Sequence, residues 1–433
     1  MTAASTRWAL VALFVLVTCA GARAQAPAPD AAAAGAALAG PSQEPVAGGW
    51  GLFLEQDSVL SPETDKDYTM GVQFSFSGWR IRRSLLGDVL GGPQRGLDRL
   101  LWFVNKGHQR ACQASSAREQ IPPLCKTAGA QRGYQVHELS FGVTAFTPRK
   151  GDPAEEGPGC LHYGCVLAST EPVYDDRPYA SLAYLTYRRS TALGRLAVSS
   201  DFTFGMLGLQ IAKVVQTAIH DDQTDPGGWK YQISNGGEPT ANYSFRFKWL
   251  AAGSLAQDGA GEVDRAGADP GDARDDRRAD LTFDGGVSLG TYTNTSAGVR
   301  ARLGRIDSPY WARDRQPVVF TKRPAGAAPH SIREAFVWAS FGYELWAYNA
   351  LLQGQFRSSP VTLKFHPAPT DPNVASPLNR NVWNVAAGAI LRLRCCTFSY
   401  QYSSYSALFE GPHRRRHAYW GIYVGFPNKD LQP

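Results

Sequence analysis

Two polar groups near the start of the sequence have residue types and a spacing that suit the hydrolysis of an ester at a metal ion. Gln56 and Asp57 end one apolar run, and Asp65, Asp67 and Thr69 come just before a segment in which apolar and polar residues alternate. If the two segments are neighbouring strands, these side chains lie at facing strand ends. Carboxylate and hydroxyl oxygens in this arrangement suit a hard cation or a reacting ester. The alternative is a solvated, acidic hairpin loop.

A second group lies far along the chain, in the segment 214–233. Gln216 and His220 are four residues apart, which places them on one face of a helical turn. A neutral imidazole at this position can take a proton from water, provided that a neighbour fixes its tautomer. The alternative is a solvated or capping histidine beside the acidic residues Asp221, Asp222 and Asp225.

Two further segments contain residues that could contact an anionic group. Asp175 and Asp176 precede Arg177, which predicts either an ion-paired turn that leads into a strand or an arginine that contacts a phosphate. The segment 347–354, AYNALLQG, mixes polar and apolar residues and fits neither helical nor strand periodicity. The sequence contains none of the G-x-S-x-G, phosphate-loop or H-E-x-x-H signatures, so these hydrolase and nucleotide-binding classes receive no support.

The elements that must position these residues are predicted to be strands. In the segments 69–77, 241–250 and 396–405, apolar and polar residues alternate with a period of two. A soluble β-sandwich and a membrane β-barrel both show this alternation, but the signal peptide described below, the segment lengths and the content of 11 Trp, 18 Tyr and 20 Phe favour the barrel. About twelve strands are predicted, an even number as in bacterial outer-membrane barrels. They are 50–56, 69–79, 134–146, 180–190, 194–207, 241–253, 279–290, 294–304, 334–346, 382–393, 395–406 and 417–426. The predicted fold class is therefore all-β, a single antiparallel transmembrane β-barrel.

The first part of the chain predicts export. Residues 1–24 combine a basic start at Arg7, an apolar core and the small-x-small site Ala22-Arg23-Ala24, which is typical of a secretory signal peptide. A lipid anchor on Cys19 is the alternative, although Thr18 is not the usual small residue before such a cysteine. Residues 25–49 are rich in Ala and Pro and predict a flexible linker, and residues 50–433 are assigned to the barrel domain. No later run of about twenty apolar residues predicts a transmembrane helix. The net charge of +6 is too slight and too dispersed to indicate nucleic acid as a partner.

Six cysteines follow the predicted signal peptide, and secretion permits disulfides. Cys112 with Cys125, and Cys160 with Cys165, would close short local loops, but the pairing stays open. Cys395 and Cys396 lie side by side in the predicted strand 395–406, so their side chains are expected to point to opposite faces and not to bond to each other. No Cys and His spacing resembles a zinc site.

These segments, in their order, resemble the outer-membrane lipid A 3′-O-deacylases over residues 50–426. DxDYTxG, DDRPYA and QxxxH are each modest signals, but together and in sequence they are fairly specific. The matching motifs are Gln56-Asp57 with Asp67-Tyr68-Thr69-x-Gly71, Phe146-Thr147-Pro148, DDRPYA at 175–180, Gln216-x-x-x-His220, Gly228-Trp229 with Gln232, AYNALLQG at 347–354 and Ser404 to Glu410.

The resemblance implies a twelve-stranded barrel in the outer membrane of a Gram-negative bacterium, with an active site between barrel wall and lipid near the extracellular side. It implies Ca²⁺-dependent removal of the 3′-linked acyloxyacyl group from lipid A, the lipid part of lipopolysaccharide. By position, His220 is the general base, Asp57 is the metal ligand, and Gln216 and Thr69 are polar groups of the site. Gln56 stands where the family usually has Asn. We expect a monomer that contacts lipid A and the membrane but no nucleic acid.

Two other functions remain alternatives at this point. One is a non-catalytic outer-membrane barrel that serves as a channel or structural protein. The other is a soluble periplasmic β-sandwich that binds a ligand. The enzyme hypothesis requires that Asp57, Thr69, Gln216 and His220 converge on one wall of the barrel.

Overall fold

The computed structural model describes thirteen stretches of the chain. They are residues 48–57, 70–78, 81, 84–101, 134–148, 177–193, 195–214, 227–253, 277–313, 332–357, 378–393, 395–410 and 414–427. The predicted signal peptide, most of the predicted linker and the cysteines at 112, 125, 160 and 165 lie outside these residues.

The described residues form twelve antiparallel strands, which close into one barrel in which each strand pairs with its neighbours in sequence. All twelve predicted strands are confirmed, with ends that shift by a few residues. The strands are β1 (Gly49–Gln56), β2 (Met70–Ser77), β3 (Tyr134–Phe146), β4 (Ala180–Leu193), β5 (Leu196–Leu207), β6 (Glu238–Ala252), β7 (Arg277–Gly290), β8 (Tyr292–Ile306), β9 (Ile332–Asn349), β10 (Asn381–Leu393), β11 (Thr397–Tyr405) and β12 (His417–Pro427). A single closed sheet excludes the two-layer sandwich.

The barrel closes between its first and last strands. β1 pairs with β12 from Gly49 opposite Pro427 to Gln56 opposite Trp420. Closure satisfies the backbone groups of both terminal strands, as a membrane requires. Because successive strands alternate in direction, the start of β1 and the end of β12 lie at the same end of the barrel. We assign this end to the periplasm, because a bacterial outer-membrane barrel with an even number of strands has the start of its first strand and the end of its last strand on the periplasmic side. The end of β1 and the start of β2 are therefore extracellular.

The two faces of the wall differ in polarity, as expected for a barrel in lipid. Large apolar side chains such as Phe74, Phe141 and Phe204 are exposed on the outer face. The inner face carries small or charged residues that are buried, for example Ser75, which pairs with Ser140 on the next strand. An apolar outer face with a polar interior is the arrangement of a transmembrane barrel.

Charged side chains on the inner face of the barrel form buried ion pairs. Arg188 Nη2 donates to Asp201 Oδ2 at 2.7 Å, and Arg188 Nη1 lies 3.4 Å from Glu138 Oε1. Arg302 Nε donates to Asp280 Oδ1 at 2.9 Å. A fourth pair, Arg392 with Glu334, has a separation of 2.7 Å between Nη1 and Oε2. Guanidinium and carboxylate groups thus satisfy one another inside the wall.

One helix was not predicted from the sequence. Helix α1 (Leu85–Leu101) lies in the connection between β2 and β3, outside the predicted strands. It packs on β4 and β5. The sequence does not indicate this helix because it contains four glycines and Pro93, and these residue types disfavour helix by propensity. Within the described part of the chain, no helix is both long enough and apolar enough to cross a membrane.

The expectation that Cys395 and Cys396 do not bond to each other is confirmed, but their predicted placement in a strand was wrong. β11 begins at Thr397, so Cys395 and Cys396 lie in the turn between β10 and β11 and not in a strand. Their sulfur atoms are 2.9 Å apart, with no disulfide between them. The strand rule that sends successive side chains to opposite faces does not apply to a turn.

Candidate active site on the outer wall

The first two predicted site residues lie where the sequence analysis places them. Gln56 is the last residue of β1, and Asp57 follows it at the extracellular end of the barrel. The register pairs Glu55 with Gly71, so these two residues lie beside the start of β2 at Met70. Both side chains are partly buried. The two residues thus lie at the end of β1, beside the start of β2, as predicted for a site shared by these two strands.

The other three predicted residues, Thr69, Gln216 and His220, lie outside the described residues. Thr69 directly precedes β2 in the sequence. Gln216 and His220 belong to the connection between β5 and β6, which is described at residues 208–214 and again at 227–237.

Both described parts of the β5–β6 connection pack on the barrel near β2 and β3. Ala212, from the part before the gap, and Trp229, from the part after it, are buried in one cluster with Ala145 and Tyr179, and Val72 packs against that cluster. Val72 lies two and four residues before the exposed Phe74 and Phe76 on β2, so it shares their side of the strand and belongs to the outer face. The connection thus folds over the outside of the wall, beside the start of β2.

Hydrogen bonds fix this connection to the first residues of β4. Ser181 Oγ lies 2.8 Å from both the Leu209 carbonyl oxygen and Gln232 Oε1. The amide of Ile233 donates to the Tyr179 carbonyl at 2.9 Å, and the amide of Gly208 donates to the Ser181 carbonyl at 2.9 Å. Ser181 and Gln232 are both buried, so their polar groups satisfy one another away from water.

Aromatic contacts add to these hydrogen bonds. The Trp229 side chain is fully buried and meets the Tyr179 ring edge to face, with 5.1 Å between the ring centroids. A Cβ atom on Gly228 would lie 2.3 Å from the Tyr179 ring, so only glycine permits this close approach. Gly228, Trp229 and Gln232 of the family motif therefore have an anchoring role, and Tyr179 and Ser181 of the DDRPYA region are their partners. The sequence analysis assigned no role to Tyr179 or Ser181, although they stand in or next to that motif.

Arg177 is buried and does not form part of an open phosphate site. Its side chain is 3% exposed, and its guanidinium carbon lies 4.2 Å from the centroid of the Phe146 ring. Such a cation–π contact holds the chain that enters β4. The structural alternative for Arg177 is therefore favoured, whereas Asp175 and Asp176 lie outside the described residues.

The segment 347–354 closes part of the extracellular end of the barrel. It contains the short helix α2 (Ala350–Gln353), whose first turn is capped by Asn349 Oδ1, which accepts from the Leu351 amide at 3.0 Å. Ala350 and Leu351 are buried with Ile233 in one apolar cluster. The other buried members of that cluster are Ala180, Leu182 and Leu207. This packing links the β9–β10 connection to the anchored β5–β6 connection.

The described residues include no group of three or more His, Cys, Asp or Glu side chains that could hold a metal ion. At the end of β1 they offer the carboxylate of Asp57 and the amide oxygen of Gln56. An oxygen-only donor set suits Ca²⁺ rather than zinc. These two donors fit a calcium ion in type, and further ligands would have to come from residues beyond the described ranges, backbone carbonyls or water.

Replacing Trp229 by Ala is expected to release the β5–β6 connection from the wall while the barrel stays folded. Removing a buried Trp costs about 3–5 kcal/mol, which would raise the opened fraction of this segment roughly 10²–10⁴-fold. Limited proteolysis of purified protein should then cut the connection faster. Trp249→Ala, on the exposed outer face of β6, is the matched control and should leave that rate unchanged. Equal cleavage of both variants would contradict the anchoring role.

Comparisons with known proteins agree with this architecture. The family model described as "Outer membrane protein LpxR" matches residues 10–425. Among solved structures, LpxR from Salmonella typhimurium matches with a TM-score of 0.53 and 12% identity, and the match covers 87% of this chain and 99% of that one. At this identity, the likeness concerns the fold alone.

Two further solved structures match more weakly. The β-domain of the Bordetella autotransporter BrkA has a TM-score of 0.32 and 8% identity, with 88% of this chain and 99% of that one covered. OprB from Pseudomonas putida has a TM-score of 0.27 and 7% identity, with coverages of 88% and 93%. These scores are too low to support an argument. No curated protein sequence matches the chain. The family match spans nearly the whole sequence, and the chain therefore belongs to the LpxR family of outer-membrane β-barrel proteins.

Proposed function

We propose that this protein is a Ca²⁺-dependent lipid A deacylase that hydrolyses the 3′-linked acyloxyacyl ester of lipid A. The observation that carries the proposal is the anchoring of the β5–β6 connection on the outer wall. Ala212 and Trp229, on either side of Gln216 and His220, are both held beside the start of β2. Asp57 and Thr69 flank the connection between β1 and β2 at the same end of the barrel.

Membership of the LpxR family supports a lipid A deacylase at the level of the family. The location on the outer wall suits such a substrate for a physical reason. Lipid A lies in the outer leaflet, with its acyl esters near the boundary between headgroup and hydrocarbon. A site on the lipid-facing wall at the extracellular end can receive such an ester without removing the lipid from the membrane.

In the proposed mechanism, neutral His220 takes a proton from a water molecule as the water oxygen attacks the ester carbonyl carbon. Gln216, one helical turn away, and Thr69 orient the histidine and the water by hydrogen bonds. His220 then returns the proton to the departing 3′ oxygen. The ester and one water thus give the 3′ hydroxyl of lipid A and a free acyloxyacyl acid.

The developing negative charge on the ester oxygen needs a positive partner. When bound, Ca²⁺ would supply that charge and polarise the carbonyl. Asp57 is the residue proposed to hold it, with the Gln56 amide oxygen as a further donor. Gln56 is one methylene longer than the Asn usual in the family, so its oxygen reaches further from the backbone.

The channel alternative receives less support from the barrel interior. Described inner-face residues are mostly buried, and charged ones such as Arg188, Asp201 and Glu138 are paired with one another. The cluster around Ile233 and Leu351 also occupies part of the extracellular end. A filled interior disfavours an open aqueous passage.

The proposal is tested by expressing the protein in a Gram-negative host whose lipid A keeps its 3′ acyloxyacyl group. Mass spectrometry of extracted lipid A should show loss of that group with the wild type and none with His220→Ala. Heat-dependent mobility of the barrel on gels verifies that both proteins are folded. Unchanged lipid A in cells that contain folded wild-type protein would refute the proposed activity.

A further inference from the structure

Helix α1 lies against the outer face of the barrel wall, where lipid would otherwise be. Gln94 Nε2 donates to the Ser200 carbonyl at 2.6 Å and lies 2.8 Å from Ser200 Oγ. Asp98 accepts from the Tyr243 hydroxyl at 2.7 Å and forms an ion pair with Arg189. Ser200 lies four residues from the exposed Phe204 on β5, and Tyr243 lies four residues from the exposed Phe247 on β6. Residues an even number of positions apart on a strand share a face, so Ser200 and Tyr243 belong to the outer face.

Helix α1 differs from a helix on a soluble protein in what it exposes. The side toward the barrel is mixed, because Gln94 and Asp98 are buried there and Leu90 is buried as well. The opposite side is apolar and open: Leu85, Leu86 and Val89 are 79%, 44% and 59% exposed. A soluble helix places its apolar stripe on the protein and its polar face in water. The outer side of α1 instead suits contact with an apolar medium.

The height of α1 on the barrel places it within the hydrocarbon band. Arg189 and Ser200 pair across β4 and β5, four residues from the strand ends Leu193 and Leu196 at the periplasmic turn. At about 3.3 Å per residue and a strand tilt of about 40°, the contact lies roughly 10 Å from that turn. The apolar band of such barrels is about 25 Å tall. With the β4–β5 turn at the periplasmic edge of that band, α1 lies at the level of the periplasmic leaflet.

Among the side chains of α1 that the structure describes, the exposed charged ones lie on one flank. At about 3.6 residues per turn, Asp88 and Arg95 lie on the same side of the helix, whereas Leu86 and Leu97 lie on the other. A helix parallel to a membrane surface directs one flank to the headgroups and the other to the acyl chains. This division of charged and apolar side chains fits that orientation.

We propose that α1 is an interfacial membrane helix, docked on the wall through Gln94 and Asp98, whose outer face binds the acyl chains of periplasmic-leaflet phospholipids. Its apolar face is continuous with the lipid-facing wall of β4 to β6. The helix also covers a polar patch on that wall, made by Arg189, Ser200 and Tyr243, which bare lipid would leave unsatisfied.

The test places a photoreactive benzophenone side chain at position 85 or 89 of the full-length protein, reconstituted in vesicles of phosphatidylethanolamine and phosphatidylglycerol. Position 303 is the positive control, because Leu303 is 62% exposed on the outer face of β8. Position 410 is the negative control, since Glu410 is exposed beyond the end of β11. Both sites are exposed, so each substitution should leave the barrel folded, as heat-dependent gel mobility can verify.

After illumination, intact-mass spectrometry should show a mass increase of one phospholipid for the probes at positions 85, 89 and 303, and none at 410. Failure of both helix positions to capture lipid, while position 303 captures it, would overturn the proposal. The same holds if positions 85 and 89 crosslink only to the protein itself. The result does not depend on ester hydrolysis, because the vesicles contain no lipid A.

Discussion

Replacing His220 by Ala is expected to lower the rate of lipid A ester hydrolysis by roughly 10²–10⁴, because the removal of a general base typically has this effect. The barrel should fold unchanged, since the described contacts that hold the β5–β6 connection are made by Ser181, Trp229 and Gln232. The measurement is the initial rate of acyl release from lipid A by purified protein in detergent.

A matched control separates the loss of the general base from a change in the position of the β5–β6 connection. Ser181→Ala removes the hydroxyl that contacts Leu209 and Gln232, so it should weaken the anchoring and reduce activity without removing the base. Added imidazole is expected to restore part of the activity in His220→Ala and none in Ser181→Ala, because it supplies only the missing base. A rate for His220→Ala within a fewfold of wild type would remove His220 from the mechanism.

Replacing Arg302 by Met is expected to lower the free energy of unfolding of the barrel by about 3–5 kcal/mol, because one charge of a buried pair then loses its partner. Arg302 and Asp280 have side-chain exposures of 3% and 0%. Arg302 Nη1 also donates to Ser308 Oγ at 3.1 Å, and the Ser308 amide donates to Glu334 Oε1 at 2.9 Å. The substitution therefore disturbs a connected buried network and not a single contact.

Two controls separate the loss of the buried ion pair from the general effect of replacing an arginine. Arg305→Met changes the same residue type on the same strand at an exposed position and should have a small effect. The double substitution Arg302→Met with Asp280→Leu should recover much of the lost stability, because no unpaired charge remains. Urea unfolding followed by tryptophan fluorescence measures all of these variants. A loss in Arg302→Met no greater than that in Arg305→Met would show that the ion pair does not stabilise the barrel.

The strands were predictable from the sequence because a wall between lipid and a polar interior imposes a strict period of two. In β2, for example, Val72, Phe74 and Phe76 alternate with polar or small residues. The short turn at 395–396 was assigned to β11 because alternation does not mark a strand end. Helix α1 escaped prediction since its docking depends on Ser200 and Tyr243, which are far away in sequence.

The site was predictable only in part. Gln56 and Asp57 follow from their position at the end of an alternating strand. By contrast, the anchoring of the β5–β6 connection depends on Ser181 and Tyr179 meeting Trp229 and its neighbours, contacts between segments about fifty residues apart. Local periodicity cannot report such contacts. The placement of Thr69, Gln216 and His220 remains a prediction from the sequence and its resemblance to the lipid A deacylases.

The most direct test of the proposed function is the mass of lipid A after incubation with the purified, folded protein, with Ca²⁺ or with a chelator. The mechanism predicts a loss equal to the 3′ acyloxyacyl group when Ca²⁺ is present, and recovery of this activity when Ca²⁺ is added back after chelation. Lipid A of unchanged mass in the presence of Ca²⁺ would contradict the proposed enzyme.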